Sequence, residues 1–282
     1  MGTSSSSSGP GAGVPFDPPW LDSVSTEFEN PLDQISGEAE DSTQNPQKIA
    51  PVPQNFELAP SRRFGNARRH LGEFVKSGHK GSLKKALGSY SRIGMGGATK
   101  VASRMRTSTS VGANIFNFLQ EVRDSPNAKV REWVNQLTAR NLSAYEVIDE
   151  IIGLMIPVGG SLEEESCRDS MAQAMSDLLI ADPEIDFTSM SNDSIWTVME
   201  LFIANEAFNR LNLDIGQLFE SGRYSPRESV NRMNEMREYL KSEISAQIRE
   251  LRTNETNPPI DEIKGILQTA ILVTFEVFEE EI

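Results

Sequence analysis

Three times in the second half of this 282-residue chain, a serine stands three residues ahead of a glutamate at the head of an apolar stripe. The pairs are Ser143 with Glu146, Ser161 with Glu164, and Ser225 with Glu228. At this spacing the serine hydroxyl accepts from the third helical N–H, while the glutamate reaches back to the serine N–H. Pro226 follows Ser225 at the first helical position, where its missing N–H costs nothing. Behind these starts, apolar residues recur at spacings of three and four. Cys167, Met171, Ala174, Met175 and Leu178 form one stripe; Val230, Met233, Leu240, Ile244, Ile248 and Leu251 form another. The segment "IDEIKGILQTAILVTFEVFEEEI" is rich in β-branched residues, yet Ile263, Ile266, Leu267, Ala270, Ile271, Thr274 and Phe278 keep the helical period. Upstream, "NARRHLGEFVKS" aligns Leu71, Phe74 and Val75, and "SVGANIFNFLQEV" aligns Ile115, Phe118, Leu119 and Val122. The stretches "GSLKKALGSY" and "GATKVASRMR" are shorter and broken by glycines. No hairpin signal is present. The expected class is all-α: a body of about seven to ten helices behind a long extended N-terminal arm.

Charge divides the chain into three segments. Residues 1–60 carry nine acids and one lysine; residues 61–106 carry twelve Lys/Arg and one acid; residues 107–282 carry fourteen Lys/Arg and thirty-one acids. The expected organisation is therefore a flexible acidic arm (1–60), a basic Gly-rich helical segment (61–106) and an acidic helical body (107–282). The arm opens "MGTSSSSSGPGAGVPFDPPW", with too little apolar surface to offset the entropy of ordering it. Its few apolar residues, Phe16, Trp20 and Leu21 foremost, read as anchors against the body or a partner. No basic cluster followed by an apolar run marks a secretory signal. No run of eighteen apolar residues is long enough to span a membrane. One cysteine, Cys167, allows no internal disulfide. The expected location is a reducing cytoplasm. The start also fits the myristoylation pattern through Gly2 and Ser6. Its acidic neighbours supply no second membrane signal.

Catalytic constellations are hard to assemble from these residues. His70 and His79 are nine apart with no cysteine or carboxylate cluster beside them, so no metal is expected. Cys167 sits in an apolar stripe, as a small core residue does, and neither histidine has a claim to pair with it. The "EEE" run at 163–165 suits the opening turn of a helix. The run at 279–281 suits a helix end. "GMGG" (94–97) lacks the strand and the G-K-[ST] of a phosphate loop, and "PVGGS" (157–161) reads as a turn into a helix. The chain is expected to be no enzyme, with no catalytic residue and no cofactor. The basic segment remains. Arg62, Arg63, Arg68, Arg69, Lys84, Lys85, Arg104 and Arg106 are its candidate contacts to nucleic acid or to an acidic partner. Only Phe64, Phe74 and Tyr90 are at hand to stack on bases. Packing on the chain's own acidic body is the alternative. A net charge of −14 argues against a general nucleic-acid binder.

Several stretches together resemble one family. They are "MGTSSSSSGPG" with "VPFDPPWL", the basic "RRFGNARRHLGEFVKSGHKGSLKKALGSYSRIGMGGATKVASRM", "GGSLEEESCRDSMAQAMSDL" and "NRLNLDIGQLFE". They are similar to QatB, a component of the four-gene Qat antiphage defence system of bacteria. Residues 22–60 carry none of the resemblance. It implies three partners: an ATPase, a QueC-like enzyme and a TatD-like nuclease. QueC enzymes use ATP in making the nitrile of a 7-deazaguanine. In defence systems such enzymes are associated with joining a deazaguanine to a protein's N-terminal amine. The resemblance therefore implies a scaffold and protein substrate, with Gly2 as acceptor once Met1 is removed. Thr3, Ser4, Phe16, Trp20 and Leu21 would then contact the partner. A slim Ser/Gly chain with a β-carbon-free second residue suits an amine that must enter a narrow active site. A nucleic-acid-sensing adaptor using the basic segment is the alternative.

Overall fold

The three capping boxes form as the spacing requires. Ser143, Ser161 and Ser225 each accept from the backbone N–H of their glutamate, and each glutamate reaches back to the serine N–H. The computed structural model describes residues 60–282 apart from 125–126, 157, 159–160, 221, 223, 254 and 256. Within these, the helices are α1 (Gly65–Ser77), α2 (Lys80–Ser89), α3 (Ala98–Arg104), α4 (Arg106–Asp124), α5 (Ala128–Arg140) and α6 (Ala144–Met155). They continue as α7 (Leu162–Ala181), α8 (Asn192–Ile215), α9 (Gln217–Glu220), α10 (Pro226–Leu251) and α11 (Ile260–Glu280). A π-helical turn, Tyr90–Met95, extends α2. No strand forms among the described residues.

Eleven α-helices among the described residues exceed the seven to ten expected. The excess lies in the glycine-broken segment and around Gly216. Gly78, at φ 69°, turns the chain from α1 into α2. Gly96 and Gly97, at φ 84° and 114°, separate the π turn from α3. These left-handed values suit glycine, which has no β-carbon to clash.

Two helices organise the core. α8 packs on α4, α7 and α10, and α11 packs on α2, α3, α4 and α10. Fifteen residues of α8 are buried, on nearly every side of it. Such a helix shows little apolar periodicity because it has no solvent face to leave polar. One hydrophobic cluster runs from Phe64 to Phe278, so α1–α3 share a core with the rest. The predicted stripe of α7 is buried in full: Cys167, Met171, Ala174, Met175 and Leu178. On α10, Leu240, Ile244 and Ile248 are buried as expected, whereas Val230 and Leu251 are 50% and 36% exposed. At the start of α10 the inward position belongs to Ser229, one residue round from Val230; Leu251 is the helix's last residue. No described helix is long and apolar enough to cross a membrane.

Candidate functional site

The cations of the basic segment divide into two sets. The inner set turns toward the body. Arg68 donates Nη2 to the Asp214 carbonyl at 2.7 Å. Arg63 is buried, its guanidinium 4.8 Å from the Phe64 ring centroid. Arg63 and Arg104 both act electrostatically on the Asp214 carboxylate. Lys84 donates Nζ to Glu281 at 2.6 Å, and this bond raises the ammonium's pKa. Nearby, Ser91 donates to Glu279 at 2.5 Å. The "EEE" at 279–281 thus supplies two acceptors for the basic segment. The outer set includes Arg62, Arg69 and Lys85, all exposed; Arg69 rests beside the His70 ring at 3.2 Å. Arg106, half-buried, opens α4.

The three aromatic residues available for base stacking are spent in the core. Phe64, Phe74 and Tyr90 are 3%, 1% and 2% exposed. Phe64 and Tyr90 stack on each other, centroids 5.5 Å apart and 13° from parallel. A nucleic acid on this face would meet guanidinium and ammonium groups alone.

Asp214 is the hinge of the junction. It stands one residue before the end of α8, beside the basic segment, where the Tyr90 hydroxyl donates to it at 2.9 Å. Burial pushes its carboxyl up; the Tyr90 bond and Arg63, Arg104 and Arg210 pull it back. Burial likewise raises Tyr90 well above the ordinary phenol range, with the Asp214 charge adding to it. A phenol facing a carboxylate in a dry site stays protonated and donates.

A second polar seam joins α4, α7 and α8. Glu206, fully buried, accepts from Ser108 at 2.7 Å, Ser166 at 2.8 Å and Ser170 at 2.6 Å. Asn209 also donates to Ser170, at 2.9 Å. Cys167 lies against this network, its sulfur 3.8 Å from Ser108 Oγ and 3.7 Å from Glu206. Burial and the Glu206 charge push the thiol far up, opposite to what a nucleophile needs. On α8, Glu200 is buried and held bidentate by Arg249 at 3.0 and 2.7 Å.

The histidines stay apart from this chemistry. His70 contacts Glu73 at 3.1 Å, and His79 is exposed at the start of α2. No group of three or more His, Cys, Asp or Glu among the described residues is arranged to hold a metal. The "GMGG" glycines have structural work: a β-carbon on Gly94 would meet the Phe64 ring at 2.5 Å. Gly2, Thr3, Ser4, Phe16, Trp20 and Leu21 lie outside the described residues, as does Ser6. Glu206 and Asp214 were not singled out from sequence, and Tyr90 only as an aromatic that could stack on a base. Nothing in their neighbours' spacing announces burial, which depends on partners at least 36 residues away.

Comparison with known families settles kinship. The family model described as "Qat anti-phage system associated protein QatB" matches residues 96–278. The chain belongs to the QatB family. The chain matches no curated protein and no solved structure. The QatB match runs from the corner before α3 to the inner face of α11; it covers α8, nearly all of α11 and the Glu206 seam, but of the Asp214 junction it leaves out Arg63, Arg68 and Tyr90. Membership makes this a protein associated with the multi-component Qat antiphage system. Of the twelve cations at 61–106, only Lys100, Arg104 and Arg106 fall inside the QatB match.

Proposed function

We propose that this protein is the non-catalytic acceptor of its defence system. It is a helical scaffold whose N-terminal amine, on Gly2 after loss of Met1, is joined to a deazaguanine by a QueC-like enzyme. The observation that carries this reading is how the body uses its reactive groups. The Cys167 thiol is buried and pushed far up, and the carboxylates of Glu200 and Glu206 are engaged by Arg249 and by three serines. Groups capable of chemistry are committed to holding helices together. An acceptor needs none of them.

The terminal amine has an ordinary pKa near 8, so roughly a tenth is neutral at pH 7. The neutral amine attacks an activated carboxyl carbon; the C–N bond forms, the activating group leaves with its electron pair, and a proton passes to solvent. With a nitrile carbon instead, the amine adds and the proton moves to the nitrile nitrogen. Thr3, Ser4, Phe16, Trp20 and Leu21 contact the enzyme, in the cytoplasm. The ATPase and the TatD-like nuclease act in the same complex.

Intact-mass spectrometry after co-expression with the QueC-like enzyme tests this. The expected mass exceeds that of the Met1-less chain by one deazaguanine adduct. Gly2→Pro abolishes the adduct by making the amine secondary and hindered, whereas Cys167→Ala, His70→Ala and His79→Ala retain it. An unmodified wild-type mass with the enzyme active and bound overturns the proposal.

One observation favours a second reading, an adaptor that touches nucleic acid or an acidic partner. Arg62, Arg69 and Lys85 are exposed while neighbouring cations are turned inward. Reversing these three charges, without touching Arg68 or Lys84, would abolish salt-dependent binding to RNA or DNA. Unchanged binding would leave the segment a packing element.

A further inference from the structure

α5 and α6 follow one another through Asn141, which takes a left-handed turn at φ 49°. Between them opens a cavity of about 460 Å³. Its apolar lining comes from Trp133, Leu142 and Leu154, all half-buried. Trp133 is braced edge-on against Phe118, ring centroids 5.4 Å apart. Arg140 and Glu150 pair across the mouth at 2.7 Å, and exposed Asp149 lies on the same wall.

Gly153 also lines this cavity, inside α6. Its φ is not left-handed, and a β-carbon there would meet nothing within 4 Å. Neither backbone geometry nor packing in this chain requires glycine. A helix-interior glycine weakens the helix relative to alanine. A residue that weakens its own helix while leaving bare backbone along a groove suits close approach by something else. Gly265 of α11 has equally open space but does not line the cavity.

Charge identifies the visitor. The groove's own lining carries three carboxylates, Glu146, Asp149 and Glu150, and one cation, Arg140. A nucleic acid is repelled by such a surface, and so is the chain's own acidic arm, with nine acids and one lysine. We propose that the α5–α6 groove docks a basic segment of a partner protein in the same defence system. An apolar side chain of that segment seats on Trp133, Leu142 and Leu154. Its backbone passes over Gly153, and its cations face Asp149. This rests on the scaffold reading above.

The test uses the full chain and the separately purified QueC-like enzyme, ATPase and nuclease as probes in binding titrations. One of the three is expected to bind, more weakly as salt rises. Gly153→Trp fills the groove and weakens that affinity at least tenfold. Asp149→Lys does the same from an exposed position that cannot compromise the core. Gly265→Trp stays within twofold of wild type. Gly153→Ala raises the melting temperature by about 2–4 °C while weakening binding, which a purely structural glycine would not do. Absence of binding by all three components overturns the proposal, as does a bound component indifferent to both groove variants. Self-association lost in the same variants would make a second copy the occupant, and also overturns it. The N-terminal adduct is read separately, in the wild-type chain. Its absence there overturns the acceptor reading and leaves the groove to be judged on the binding curves.

Discussion

Ser108 and Glu206 lie 98 residues apart in sequence and meet across the core, hydroxyl on carboxylate, at 2.7 Å. Ser166 and Ser170 share the same acceptor from α7. A Glu206→Ala change would leave three buried or half-buried hydroxyls without it. Each orphaned buried polar group costs about 1–3 kcal/mol, and rotation toward other acceptors recovers part, so the expected loss is about 3 kcal/mol. The melting temperature should fall by about 6–12 °C. Glu206→Gln retains an acceptor oxygen and should lose less. Thermal melts followed by circular dichroism rank the two; the reverse order would contradict the carboxylate's place as the anchor.

The capping boxes should make stability sensitive to acid. Hydrogen bonds from the Ser143 backbone and then its side chain hold Glu146 below its ordinary pKa; the Ser225 side chain and then its backbone do the same for Glu228. A depressed carboxyl contributes stability above the unfolded value near 4.3 and loses it as pH falls through the folded one. Ser143→Ala and Ser225→Ala should therefore melt below wild type at pH 7, with the gap narrowing toward pH 3. A gap independent of pH would show that these ionisations play no part.

At the alkaline end the sign is reversed. Burial raises Tyr90 and Tyr239 above the unfolded phenol value, so the folded chain keeps protons that the unfolded chain releases. That stability is full below about pH 10 and drains as pH rises further. Lys84, held charged by Glu281, titrates in the same direction. Urea midpoints from pH 8 to 11 should drop steeply in wild type and less steeply in a Tyr90→Phe, Tyr239→Phe double variant. Parallel curves would refute the assignment.

Gly88 faces the Phe278 carbonyl so closely that a β-carbon would collide with backbone. Gly88→Ala should force α2 away from α11 and cost about 1–3 kcal/mol, despite alanine's better helix propensity. Chemical denaturation distinguishes this from a gain in stability.

Local signals were legible in the sequence because they are complete within a few residues. A Ser-x-x-Glu box needs nothing beyond its own turn, and all three formed. The Cys167 stripe was legible for the same reason. The division of the basic segment into inner and outer cations was not. Arg68 turns inward because the Asp214 carbonyl, 146 residues away, awaits it, while Arg69 one position on points outward. The α5–α6 groove was not legible either. Asn127 caps α5 within its own turn, but α5 was not singled out from sequence, and the groove exists only once both helices are placed. On α10 the periodic reading overran the core contact at Val230 and Leu251, since sequence period does not say where a neighbour stops.

The pairing of Lys84 with Glu281 spans 197 residues. At a synthesis rate of about 5–20 residues per second, the acceptor leaves the ribosome about 10–40 s after the donor. Throughout that interval α2 has α1 but no α11 to rest on, and the face it turns to α11 is open to chaperones or to the wrong neighbour. The contact between α2 and α11 is thus among the last to form. A nascent chain stalled short of residue 260 would present Lys84 and Ser91 without the glutamates that hold them in the finished protein.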